Sequence, residues 1–354
     1  MKTSDQIELQ ANFEKRLKEL LLRVGGLDIF SETNSPMSKA DFDWNLSYFG
    51  KAFRILVEVK SSGIPRALRD AANQLKSLSR SINDSSRIYV IIAAPYISDT
   101  GMNLCKEEGV GCFDLAGNCY ISFGSIYIEV RGYKNTKPST RSVKSIFSPK
   151  SSRISRVLLS DVKRWWKIQD LAKEAKVSLG LASQIKNRLL DEELVIDEGK
   201  SVKVKSPKAL LDTWVDNYSY KKNKIEEYYT LNDLKVFETV IQAYCREQKV
   251  RTALGLFSGA SRVAPHVRFN KIFIYVDGDL DKIAKEMDLK PVTSGSNVVF
   301  LRPYDKGIFL NSKEVDGLTI VSNIQLYLDL KTYKGRGEEA AGFLMKTKME
   351  PEWQ

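Results

Sequence analysis

An α/β chain of several domains is predicted, on three observations. Near the N-terminus two alternating segments, residues 41–48 and 53–60, flank a short turn and lead into a helix and a continuous apolar run. A central stretch carries three short amphipathic helical patterns and then a second alternating hairpin. Beyond Pro207 helical and strand-like patterns alternate to the end of the sequence. At 354 residues, 43% of them hydrophobic, the chain can bury a large core and is expected to hold two or three domains.

In the first hairpin Phe42, Trp44, Leu46 and Tyr48 share a face with Phe53, Ile55, Val57 and Val59, the period-2 mark of a half-buried ribbon. A glycine-first loop over Gly50-Lys51 sets Asp43 opposite Glu58 and Asp41 opposite Lys60. Facing carboxylates repel. A divalent cation such as Mg²⁺ between Asp43 and Glu58 would remove that penalty, and Lys60 on the same face could activate a water or steady a leaving oxygen. The ordinary alternative is a wet face with Asp41–Lys60 and Ser47–Arg54 as cross-strand pairs worth little.

Residues 61–65 then read as a turn. Residues 66–79 read as a helix with Leu68, Ala71, Ala72, Leu75 and Leu78 inward and Gln74 near its middle, and 87–94 as a buried strand. Hairpin, helix and buried strand, with D-x14-E-x-K on the hairpin, resemble the core of the PD-(D/E)xK nucleases, a restriction-endonuclease-like α/β domain. Phe42 rather than proline precedes Asp43, and Asp41 competes for the acidic role. The resemblance implies a nuclease-like domain over 1–133. Its catalytic set would be Asp43, Glu58 and Lys60, with Asp43 and Glu58 as metal ligands and Glu14 on the first helix as an extra acid.

The four cysteines (105, 112, 119 and 245) show no C-x2-C pairing and suit reduced thiols in a cytoplasmic protein. With His266 alone, an imidazole-rich metal site or a Ser-His-Asp triad at the hairpin is not expected. No run approaches the apolar length of a membrane span, so no membrane partner is expected. The net charge of +11 is concentrated: eleven basic residues stand against Asp161 between Arg131 and Lys167. Residues 134–152, rich in Ser, Thr, Pro and Lys, read as an exposed basic linker, either a solvated hinge or a place for a phosphate backbone.

Three helices are predicted after the linker, over 154–163, 168–175 and 179–192, the last capped by Ser178. Leu171, Ala172, Val177, Leu181, Ala182, Ile185 and Leu189 make the seam of a helix-turn-helix, and 194–196 with 202–205 form a wing. Residues 153–220 thus resemble a winged helix-turn-helix. Ser183, Gln184, Lys186, Asn187 and Arg188 point outward from the third helix as candidate contacts to double-stranded DNA, with Lys200 and Lys203 on the wing. Winged helices also dock proteins.

Residues 208–218 form an amphipathic helix, and 221–354 read as a C-terminal α/β domain for partner binding or self-association, a homodimer included. It shows no phosphate loop or metal cluster. Phe113-Asp-Leu-Ala-Gly-Asn-Cys-Tyr120, Leu211-Asp-Thr-Trp-Val-Asp-Asn-Tyr218, Ser322-Asn-Ile-Gln-Leu-Tyr-Leu-Asp-Leu330 and Gly335-Arg-Gly-Glu-Glu-Ala-Ala341 are similar to phrases of the long AbiEi-like transcriptional regulators, grouped with type IV toxin–antitoxin antitoxins. That resemblance implies DNA binding through the winged helix, repression of the protein's own operon, and a nucleotidyltransferase toxin countered without stable binding. Two function classes stand side by side: a non-catalytic DNA-binding regulator, and a Mg²⁺-dependent endonuclease targeted by the winged helix. An RNA-directed role is a third.

Overall fold

The computed structural model describes residues 4–32, 40–82, 87–135 and 146–354. They divide into two units, residues 1–139 with 191–193, and residues 140–190 with 194–354.

The first unit opens with α1 (Ser4–Leu21), followed by β1 (Leu27–Glu32), β2 (Phe42–Tyr48), β3 (Lys51–Val59), α2 (Pro65–Ser81) and β4 (Arg87–Ala94). Helix α3 (Asp99–Glu107) and strands β5 (Gly111–Asp114), β6 (Cys119–Phe123) and β7 (Ile126–Val130) complete it. The seven strands form one sheet in sequential order, with β3, β4 and β5 mutually parallel and the others antiparallel to their neighbours. Both faces are covered. Trp44, Leu46, Phe53, Ile55 and Val57 pack with Phe13, Leu17 and Leu21 of α1. Leu56, Val90 and Ile92 pack with Leu68, Ala71 and Leu75 of α2 and with Met102 and Cys105 of α3. Helix α2 starts on Pro65, whose missing N–H costs nothing at a first helical position.

The β2–β3 register differs from the expectation by two residues. The loop is Phe49-Gly50, both left-handed (φ 45° and 74°), a turn with positive φ at both central positions. Tyr48 therefore pairs with Lys51 and Asp43 with Leu56, not Glu58. An aromatic residue is an unusual choice for positive φ, and its packing explains it. The Phe49 N–H donates to the Gly26 carbonyl at 3.1 Å, and its ring lies where a Cβ on Gly26 would fall within 2.7 Å.

The second unit begins with buried Ile146 and Phe147, the latter stacked on Trp214 at 5.6 Å. The end of the expected linker is therefore core; its residues 136–145 lie outside the described residues. Next come α4 (Ser152–Ser160), β8 (Trp166–Lys167), α5 (Ile168–Glu174), α6 (Leu179–Asp191), β9 (Val195–Glu198) and β10 (Ser201–Val204). The three strands form an antiparallel sheet in the order β8-β10-β9. The chain continues with α7 (Pro207–Val215), β11 (Lys224–Tyr229), α8 (Leu234–Glu247), β12 (Arg251–Leu254), α9 (Leu256–Val263), β13 (Ile272–Asp277) and α10 (Leu280–Glu286). It ends with β14 (Lys290–Pro291), β15 (Val298–Arg302), β16 (Lys313–Val315), β17 (Leu318–Ile320), α11 (Asn323–Lys331), α12 (Gly337–Leu344) and α13 (Glu350–Trp353). The larger sheet runs β14-β11-β15-β13-β12-β17-β16 and is mixed. One apolar core joins the helical block to it: Val157, Leu158, Ile185 and Trp214 belong to the same cluster as Tyr275, Phe300 and Leu326.

Candidate functional site

In the central block the α5–α6 turn passes through Lys176 at φ 53°, and Ser178 Oγ accepts the Leu181 N–H at 3.2 Å, satisfying one of the free N–H groups at the start of α6. Ala182, Ile185 and Leu189 are buried at helical spacing, which fixes the rotation of α6. Gln184 and Asn187 are then exposed, while Ser183, Lys186 and Arg188 are half-buried. Lys186 Nζ reaches Asp197 of β9 at 3.4 Å, a loose pair that ties the helix to the hairpin. Lys200 stands exposed in the hairpin turn beside Gly199, whose φ is 62°. Lys203 is half-buried, its Nζ 5.9 Å from the centre of the Trp165 ring.

The charges upstream divide between surface and interior. Arg153 makes a bidentate pair with Asp305 at 2.8 and 2.6 Å. Arg156 is 2% exposed, lies 4.8 Å over Trp214, and donates to Gln325 Oε1 at 2.5 Å. Two of the eleven cations counted in this region therefore serve the fold.

Arg156 belongs to a buried polar cluster that sequence reasoning missed. Asp329, fully buried, accepts from Tyr218 Oη at 2.6 Å, Tyr275 Oη at 2.9 Å and Gln325 Nε2 at 2.7 Å. Burial pushes the Asp329 carboxyl up to about 7, opposed by those three hydrogen bonds and by Arg156. The signal for it was an aspartate within the otherwise apolar Leu326–Leu330 stretch.

In the first unit Asp43 is set apart from the other two expected catalytic residues, Glu58 and Lys60, which stay together. Asp43, 5% exposed, is held by Arg54 through two bonds of 2.8 and 2.7 Å and does not face Glu58. Lys60 Nζ pairs with Glu58 at 2.9 Å and reaches Gln74 of α2 at 3.2 Å. Asp41 is the carboxylate brought to β3: its N–H donates to the Val57 carbonyl at 2.9 Å and its Oδ2 accepts the Val59 N–H at 2.8 Å, beside the Glu58–Val59 peptide. Its Oδ1 accepts from Gln10 of α1. Glu14 pairs with Lys18 at 2.8 Å on its own helix. Among the described residues no group of three or more His, Cys, Asp or Glu side chains converges as a metal site. Among them, too, no helix is long and apolar enough to cross a membrane.

Residues 203–349 match the model of a family described as transcriptional regulator, AbiEi antitoxin, type IV TA system. The match covers the second unit from β10 to α12 and contains Tyr218, Tyr275, Gln325 and Asp329. No curated protein and no solved structure matches the chain.

Proposed function

We propose that the chain is a DNA-binding transcriptional regulator of the AbiEi antitoxin type, acting on the operon that encodes it. One observation carries the reading: the family match begins within a hairpin whose preceding elements run helix, short strand, helix, helix, with sheet order β8-β10-β9. That succession is what a winged helix-turn-helix requires. In this reading α6 lies in the major groove. Gln184 and Asn187 address adenine edges, Lys186 and Arg188 reach guanine or phosphate, Ser183 borders them, and Lys200 contacts a flanking phosphate. The functional partner would be a nucleotidyltransferase toxin, and a homodimer would suit a palindromic operator. The test is a mobility shift of the full chain on duplex from its own promoter, beside a reporter driven by that promoter. Specific retardation with repression is expected; binding no tighter than to random duplex contradicts the reading.

A second reading, a metal-dependent endonuclease, is favoured by Asp41 lying beside β3 next to Glu58. Mg²⁺ is commonly held by one or two carboxylates with waters completing its shell; Asp41 and Glu58 would be that pair once the Gln10 and Lys60 contacts gave way, whereas Asp43 is engaged with Arg54. A bound Mg²⁺ would polarise a phosphate oxygen, and Lys60 would orient the attacking water. Plasmid nicking and thermal melts with Mg²⁺ or Mn²⁺ on wild type, Asp41→Asn and Lys60→Ala test it. A wild type with neither a metal-dependent shift nor nicking removes this reading and leaves the regulator untouched.

A further inference from the structure

We infer that the outward face of the β8-β10-β9 sheet is a stacking site for an unpaired base of single-stranded nucleic acid, with Trp165 as its platform. Trp166 and Val202 pair across the two strands and are both buried, so they mark the inward face. Lys167 pairs with Ser201 and Ile196 with Lys203, which sets these residues on the other face. Trp165, next to buried Trp166, is 39% exposed, and Ile196 is 42% exposed. The two apolar side chains flank Lys203, whose ammonium lies over the Trp165 ring. Lys167 is exposed on the same face, and Lys163 and Arg164 are exposed just before it in the chain, against Asp161 and Glu198.

The chemistry of this face selects its occupant. Lys203 over the indole, with Lys163, Arg164 and Lys167 exposed in the adjoining chain, complements a phosphate chain, while the core of a protein interface is depleted in charge and would strip water from these cations. Indole carries one N–H donor and no acceptor, so it reads duplex edges poorly. Its flat π-face matches a base only where that base is unstacked, which is the state found in single strands. Arg164 already covers the Trp166 ring at 3.9 Å, leaving Trp165 as the accessible one of the pair. The residues proposed above to meet duplex belong to α6 and to the hairpin turn at Lys200, not to the paired positions of this face.

The experiment is fluorescence anisotropy of a labelled oligothymidylate of about fifteen nucleotides with the full chain, run beside a duplex of equal length. Trp165→Ala should weaken the single strand by roughly five- to a hundred-fold and leave the duplex within about two-fold. Trp165→Phe, which keeps an aromatic face, should retain most of the affinity and shows that the fold is intact. Equal oligothymidylate binding by wild type and Trp165→Ala overturns the inference, as does a parallel loss on both ligands. A wild type that ignores oligothymidylate but shows a Trp165-dependent oligomer also overturns it, in favour of a protein contact.

Discussion

The first hairpin and the α6 helix attract notice for the same reason: polar residues are left over once the apolar positions are assigned. They end in opposite situations. On β2–β3 the leftovers are consumed by each other and by neighbouring backbone, with Asp43 held by Arg54, Glu58 by Lys60 and Asp41 by Val59. On α6, Gln184 and Asn187 stand in solvent. The difference follows from geometry. A sheet has two faces, and here α1 covers one while α2 and α3 cover the other, so Asp43 is buried and Glu58 and Lys60 are half-buried. A helix packed along one stripe keeps its far side wet. Leftover polarity is therefore a better sign of a contact surface on a helix than on a strand inside a two-sided sheet.

The contrast is broken most severely at Asp43. Asp43→Ala removes the two-bond carboxylate partner of the largely buried Arg54 guanidinium and should lower stability by about 3 kcal/mol, read from chemical denaturation of the full chain. A face of mutually repelling carboxylates would instead gain stability from the loss of Asp43. Asp329 gives the next effect. Its folded-state affinity for a proton exceeds the ordinary carboxylate value of about 4, so the native state holds the proton more tightly than the unfolded chain. Stability should fall as pH rises from there towards 7 and then level off. Asp329→Asn should flatten that slope in thermal melts between pH 5 and pH 8. On the helix, Gln184→Ala or Asn187→Ala should relax base preference by about 1–3 kcal/mol at one position each, read by selection from a randomised duplex library, without altering stability. The smallest effect is expected at the hairpin turn, where Gly50→Ala forces an L side chain to φ 74° and should cost about 1 kcal/mol.

Much of the fold was legible. Helix α6, strand β4 and helix α2 follow directly from apolar spacing, because in each the spacing and the burial agree. The register of β2–β3 was not, since Phe49 adopts a positive φ only because it packs on Gly26, a contact made across the sheet. Strands β8 and β12 are too short to show a period. Two of the phrases similar to the antitoxin family hold residues that shape the backbone. Asp114 accepts from Ile97, Gly117 and Asn118, and Gly337 packs where a Cβ would meet the Leu330 carbonyl at 2.3 Å. Such phrases mark a fold more than a reaction. Asp41, rather than Asp43, as the acid beside Glu58 could be chosen only once the register was known.

The central claim, that α6 meets duplex DNA, is tested most directly by salt dependence. The full chain and its Lys186→Ala/Arg188→Ala double variant are titrated on the same promoter duplex at several salt concentrations. Each phosphate contact adds nearly one unit to the slope of log affinity against log salt. The expected result is weaker binding by the variant, with a slope shallower by about two. Wild type and variant with the same affinity and the same slope would contradict it.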